Sequence, residues 1–292
     1  MFRHDKCLLG AIVVLAAAAA EARGQEPGAA DPAVAIRASK AGYHLFHPTP
    51  RALLREMSTD RPDLTESPYT VDAGHAQIEV EAVTLTHDEG LDKTGYAGFL
   101  VKLGLTPRSD LQIGFDAIHE ERDSGALPPD PSTSDGETGP TNLTARLKWN
   151  LWGNDGGSTA LAAMPYVEFP TAEGETQVGG GLIVPLAISG PWETGLATMA
   201  QMDVLPDADG DGHHVEWLFT GTIARDLVGS LAGFLEGTSG HRPRSEGEWT
   251  ALLNAGLTFA ATPDLQLDGG TRLGVSDEAE GVALFLGISY RR

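Results

Sequence analysis

Cysteine is all but missing from this chain. The single one, Cys7, comes before the apolar run at residues 8–20, whereas a lipoprotein acceptor would follow such a run. Arg3 and Lys6 supply a positive start, and Ala20-Glu21-Ala22 places small residues where a signal peptidase reads them. Residues 1–22 are therefore expected to leave as a secretory signal, taking Cys7 with them. The exported chain, starting at Arg23, would hold no disulfide, no thiolate nucleophile and no cysteine-bound metal. An exported protein of this size without disulfides needs another restraint. A sheet that closes on itself inside a membrane provides one.

Long apolar runs are missing as well. Beyond the N-terminus no stretch reaches the roughly 18 apolar residues of a spanning helix, and hydrophobic residues make up only 41% of the chain. Positive charge is scarce: 20 Lys and Arg stand against 41 Asp and Glu, for a net charge of −21. The expected signal carries two basic residues (Arg3, Lys6) and two acidic ones (Asp5, Glu21), so the exported chain keeps that value. Such a charge repels phosphate, which excludes nucleic acid as a partner. It also excludes a peripheral protein drawn to anionic lipid.

Glycine is abundant, at 36 residues, and after Gly74 a two-residue period sets in. Twelve segments carry it: 75–86, 95–106, 110–119, 142–151, 158–168, 177–189, 192–203, 215–223, 229–238, 249–259, 264–274 and 282–290. The fourth is the clearest. Leu143, Ala145, Leu147, Trp149 and Leu151 alternate with Asn142, Thr144, Arg146, Lys148 and Asn150. Connections alternate between short (107–110, 153–157, 190–191, 226–228, 262–264) and long (87–94, 120–140, 170–176, 204–214, 239–248, 275–281). Short turns at one end and longer loops at the other mark an outer-membrane barrel. Backbone amides in hydrocarbon need partners, so a spanning sheet must close. The expected fold is thus all-β: a closed antiparallel transmembrane barrel of about twelve strands over residues 74–292, with short periplasmic turns. Trp149, Trp152, Trp192, Trp217, Trp249 and Tyr290 lie near segment ends, where interfacial aromatics belong. A soluble sandwich or lipocalin-like barrel alternates too, and stays open on this pattern alone.

Residues 23–73 have a different texture. Residues 23–31 are a Gly/Ala/Pro-rich linker, His47-Pro48-Thr49-Pro50 interrupts regular structure, and residues 51–57 are expected to form a short helix. Further on stand Thr59-Asp60-Arg61-Pro62 and Thr65-Glu66-Ser67-Pro68, then Gly74-His75 with Gln77 and Glu79. This pattern, over residues 50–79, resembles the N-terminal signature of the MetA-pathway of phenol degradation family of outer-membrane proteins, often labelled transporters. The resemblance implies a β-barrel that passes hydrophobic or aromatic compounds. Proteins of this kind usually end on an aromatic residue that the barrel-assembly machinery reads; here Tyr290 is followed by Arg291 and Arg292.

The polar row faces the lumen. Glu79, Glu81, Asp116, Arg146, Lys148, Asp203, Asn254 and Asp268 fall at inward positions, with both signs present. They can pair with one another or line a pore. Eight strands give a lumen filled by side chains and sixteen a channel; twelve predict a narrow or plugged one. The candidate plugs are residues 23–73, as a periplasmic N-terminal segment, and the loop 120–140. Asp207, Asp209 and Asp211 resemble half of a calcium loop, without the distal Glu or the flanking helices. Ca2+ or Mg2+ at this outer loop is the one cofactor expectation. Gly179-Gly180-Gly181 has no helix after it and His119-Glu120 no second His, so neither is a dinucleotide or zinc-protease motif.

The sequence therefore describes a monomeric, non-enzymatic channel or transporter for small hydrophobic or aromatic solutes. Its other partners are outer-membrane lipid, lipopolysaccharide and the barrel-assembly machinery. Two alternatives remain: a lipid- or lipopolysaccharide-modifying enzyme, and a structural or adhesive barrel with ion-binding acidic loops.

Overall fold

The computed structural model describes residues 39–88, 91–115, 118–123, 137–138, 142–171, 177–207, 212–242 and 248–292. The expected signal, Asp116, Asp209, Asp211 and most of the 120–140 loop lie outside them. Strands run β1 (Ala76–Asp88), β2 (Leu91–Thr106), β3 (Ser109–Phe115), β4 (Ile118–Asp123), β5 (Glu137–Thr138), β6 (Asn142–Trp152) and β7 (Thr159–Pro170). They continue with β8 (Gly179–Ser189), β9 (Thr194–Pro206), β10 (His213–Val228), β11 (Leu231–Arg242), β12 (Glu248–Thr262), β13 (Leu265–Gly274) and β14 (Val282–Arg291).

These fourteen segments fill twelve positions in the wall. β3 and β4 pair with β2 one after the other, and β5 continues the position of β6 beside β4. Every pairing between named strands is antiparallel, and β1 pairs with β2 on one side and β14 on the other, which closes the barrel. The twelve alternating segments are thus the twelve wall positions. The expected helix at 51–57 is reduced to a 3-10 turn at Arg51–Leu53, after which Leu54 turns extended (ψ 141). That turn out of helix lets the next residue, Arg55, reach two acids, described below.

Burial is inverted relative to a soluble protein. Lys148 is 0% exposed and Lys102 1%, whereas Leu235 is 62%, Leu286 59% and Leu284 55% exposed. A soluble barrel puts leucine inside and lysine outside; only a lipid solvent rewards the reverse. This decides between the two barrel readings that alternation left open. β14 shows the rule residue by residue, its side chains alternating exposed and buried along the strand. Trp149, Trp192 and Tyr290 are exposed near the short-turn end, and Trp249 near the other. Trp217 stacks on Phe219 at 6.3 Å, while Trp152 is half-buried and donates its indole N–H to Thr159 at 3.1 Å.

Arg291, next after Tyr290, turns into the barrel. It is buried, pairs with Asp264 at 2.9 Å and donates to the Arg55 carbonyl at 2.8 Å. It therefore joins the closing seam of the barrel to the segment inside it.

Candidate solute pathway through the lumen

Residues 39–75 enter the barrel at its short-turn end. Two cations and two acids root them there. Lys40 Nζ lies 3.1 Å from Asp72 and 3.0 Å from Asp155, and Arg55 Nη2 lies 3.0 Å from Asp72. Arg55 also donates to the Pro107 carbonyl at 2.9 Å, on the turn between β2 and β3. Gly104 in β2 is a point of close approach. The Gly74 N–H donates to its carbonyl at 2.8 Å, and a Cβ on Gly104 would fall on the Asp72 carbonyl oxygen. Gly104→Ala is expected to displace this root at a cost of about 1–3 kcal/mol, the range of overpacking. Ala73 is fully buried, so thiol labelling of an Ala73→Cys reporter, slow in the parent and faster in the Gly104→Ala background, measures it.

Deeper in, the two sequence motifs meet the inward row. The Asp60 carboxylate takes Lys148 at 2.8 Å and Lys102 at 2.5 Å. Glu79 pairs with Lys102 and accepts the backbone N–H groups of Asp60 and Arg61, each at 3.0 Å. Arg61 forks between Glu81 at 3.0 Å and Asp268 at 2.9 Å. Its guanidinium occupies the space that a Cβ on Gly287 would take. Arg272 adds a second cation to Glu81 at 3.4 Å. Thr65 gives its N–H and hydroxyl to Glu236 at 2.8 and 2.6 Å, and Asn254 donates to the same carboxylate at 2.5 Å. Glu66 pairs with Arg146 at 2.5 Å. Ser67 donates its N–H to Asp60 at 2.9 Å, and the Pro68 carbonyl accepts from Asn150 at 2.9 Å. Thr59 donates to the Arg61 carbonyl at 2.7 Å and receives Gln266 at 3.1 Å. Pro62 is buried beside them.

Five carboxylates (Asp60, Glu66, Glu79, Glu81, Asp268) thus face five cations (Arg61, Lys102, Arg146, Lys148, Arg272) across one network. Burial alone would raise the Asp60 carboxyl, but Lys102 and Lys148 hold it well below the usual carboxylate range. Burial pushes Asp63 up to about 7, with the Glu236 charge adding to it. Burial and the Asp60 charge push Glu66 up to about 7, against the pull of Arg146 and Lys148.

Among the inward residues expected from sequence, Glu79, Glu81, Arg146, Lys148 and Asp268 bond directly to the N-terminal segment, and Asn254 joins through Glu236. Asp203 points inward but takes the Tyr166 hydroxyl and, at 2.8 Å, the Gln201 amide instead. Lys102, Glu236 and Arg272 belong to the network and are missing from that expected set. For Lys102 a signal exists in the sequence, because Val101 and Leu103 flank it in the second alternating segment. Asp207 binds His214 Nδ1 at 2.9 Å; no cluster of three metal-ligating side chains occurs among the described residues. Three imidazoles have acids or a carbonyl as partners: His87 with Asp92, His214 with Asp207 and Glu216, His75 with the Thr49 carbonyl.

Space remains on both sides of the segment. An outer cavity of about 340 Å³ lies over Arg61, Glu66, Glu81, Arg146 and Arg272. An inner cavity of about 550 Å³ runs between residues 59–69 and the short-turn ends of β8 to β11. At the mouth a third, of about 630 Å³, borders Lys40, Met57, Tyr69 and Asn154.

A family model described as "Putative MetA-pathway of phenol degradation" matches residues 59–291. By structure, the chain is similar to the COG4313 outer membrane channel from Pseudomonas putida F1, at 15% identity and a TM-score of 0.54. The match covers 80% of this chain and 100% of that one. Weaker likenesses are to the NanC porin (10% identity, TM-score 0.49, 74% and 98% covered) and to the CymD monoaromatic hydrocarbon channel (8%, 0.39, 75% and 87%). No curated relative matches by sequence.

Proposed function

The chain belongs to the MetA-pathway of phenol degradation family of outer-membrane barrels, and from that premise we propose that it is a channel for small hydrophobic or aromatic solutes, closed at rest by its own N-terminal segment. One observation carries the reading. The inward charges do not pair only with each other across the lumen, as in a sealed structural barrel. They hold a separate piece of chain, with a cavity above it and another below. A removable occupant suits a channel; an adhesive barrel has no use for it. The preference for aromatic solutes is drawn from the family's link to phenol degradation. In this reading residues 1–22 direct export, the assembly machinery inserts the barrel, and the longer loops face lipopolysaccharide.

The test is single-channel recording of the full exported chain in a planar bilayer, with phenol added to one side. Brief, discrete openings that phenol shortens are the expected result. A heat-modifiable, folded barrel that stays silent both intact and with residues 39–73 deleted would sink the channel reading.

A further inference from the structure

Among the described residues, Glu66 is the one that borders both the outer and the inner cavity. It sits in the N-terminal segment, and its carboxylate meets Arg146 on β6 at 2.5 Å. Neither side chain is free of the lumen: Glu66 is 13% and Arg146 24% exposed. The contact stands where the two cavities share a lining residue. Its hydrogen bonding is incomplete. Arg146 Nε is buried with no acceptor, and Glu66 Oε2 has no N–H on it and lies against the Asp60 carboxyl. Asp60 differs in this respect. It carries two lysines and the Ser67 N–H, so moving it breaks the network at several points. Swinging Glu66 breaks its pair with Arg146 and its carboxyl contact with Asp60, and leaves both lysine pairs of Asp60 in place.

Resting on the channel reading above, we propose that the Glu66–Arg146 pair is a side-chain gate joining the two cavities while the N-terminal segment stays seated. Its solutes are neutral, ring-sized molecules carrying a hydrogen-bonding group. Charge decides the solute class. An anion in the outer cavity meets Asp60, Glu66, Glu79 and Glu81, and a cation meets Arg61, Arg146 and Arg272. Either is repelled by part of the lining, which is how a site rejects a class of ligand. A neutral solute with one hydroxyl meets no like charge. It can accept from Arg146 Nε–H and donate to Glu66, substituting for the pair as it passes. Volume agrees, since about 340 Å³ lies at the small end of ligand pockets. Beyond the gate the inner cavity offers the apolar Ala187, Leu196, Ala197, Ala224 and Ala232 beside Asp63, Glu193, Arg225 and Asp226, again with both signs of charge. A neutral ring packs against the apolar part and meets no like charge in the rest.

The experiment is single-channel recording of the full exported chain carrying Glu66→Gln, with Ala73→Cys labelling as a second readout. Phenol, benzoate and benzylammonium are the neutral, anionic and cationic probes. Glu66→Gln is expected to raise opening frequency roughly tenfold or more, a modest population shift, and to weaken block by phenol. Ala73→Cys stays as protected as in the parent. Arg146→Gln, which removes the pair from the wall side, should reproduce the change if the first variant fails to fold. Unchanged opening in both variants overturns the gate. So does labelling of Ala73→Cys in step with the openings, which would mean that the whole segment leaves. Equal block by benzoate or benzylammonium overturns the solute class. If the parent and Asp60→Asn both conduct while Glu66→Gln behaves as the parent, the gate alone is lost and the channel stands. Silence in all of them removes the channel reading itself.

Discussion

Asp60→Asn will release the N-terminal segment from the lumen. Asp60 neutralises two lysines that have almost no access to water: Lys102 and Lys148 are 1% and 0% exposed. An amide of the same shape keeps the packing but removes the charge. Breaking a buried pair by deleting one partner costs about 3–5 kcal/mol, because the remaining charge is stranded. Here two are stranded, and although Glu79 still serves Lys102, Lys148 has Asp60 as its one carboxylate at ion-pair distance among the described residues. The equilibrium constant for seating should fall by roughly a hundredfold to several thousandfold. Long openings in the bilayer and fast labelling of Ala73→Cys report it. Arg51→Ala is the matched control. Arg51 pairs with Asp264 at 2.7 Å, yet its side chain is 69% exposed, and such pairs contribute about 0–1 kcal/mol. If both substitutions change opening equally, the buried network is not the latch.

How much of this is legible in the sequence differs by level. The strands are, because each alternating run records a wall with lipid on one side. Arg146 and Lys148 can be read as inward from Leu147 and Trp149 alone. Their partners cannot. Lys148 meets Asp60 across 88 residues and Arg61 meets Asp268 across 207, and no local pattern encodes such distances. The segment announces itself only through motif definition, Thr59 to Pro62 and Thr65 to Pro68. Six of those eight residues, Thr59, Asp60, Arg61, Thr65, Glu66 and Pro68, turn out to bond to the wall. The expected helix after Pro50 fails for a tertiary reason. An extended Leu54 is what carries Arg55 to Asp72, and local propensity yields to a buried ion pair. Lys102 and Glu236 show the opposite error: the period places them inward, yet they sit in segments whose apolar face is the more conspicuous.

Release of the N-terminal segment, read as the labelling rate of Ala73→Cys, will increase from about pH 5 to pH 7.5 and then level off. Two carboxyls in the seated segment set this. Asp63, among Glu236, Asp60 and the Thr222 hydroxyl, stands at about 7, as does Glu66, among Asp60, Arg146 and Lys148. In a released, hydrated segment both return to ordinary carboxylate values. Between about pH 4 and 7 the seated form therefore binds protons that the released form does not. Linkage makes seating weaken as pH rises through that window, by up to about tenfold per pH unit for each group. Above about 7 both are ionised in either state and the dependence ends. Asp60 has the opposite sign. Its carboxyl is held low when seated, so its contribution is present above the ordinary carboxylate range and is lost only on stronger acidification, below the window tested. Asp63→Asn combined with Glu66→Gln should flatten the profile of Ala73→Cys labelling against pH while leaving the barrel heat-modifiable. A profile that keeps its slope in that double variant, or that rises toward acid in the parent, would assign the response to other groups.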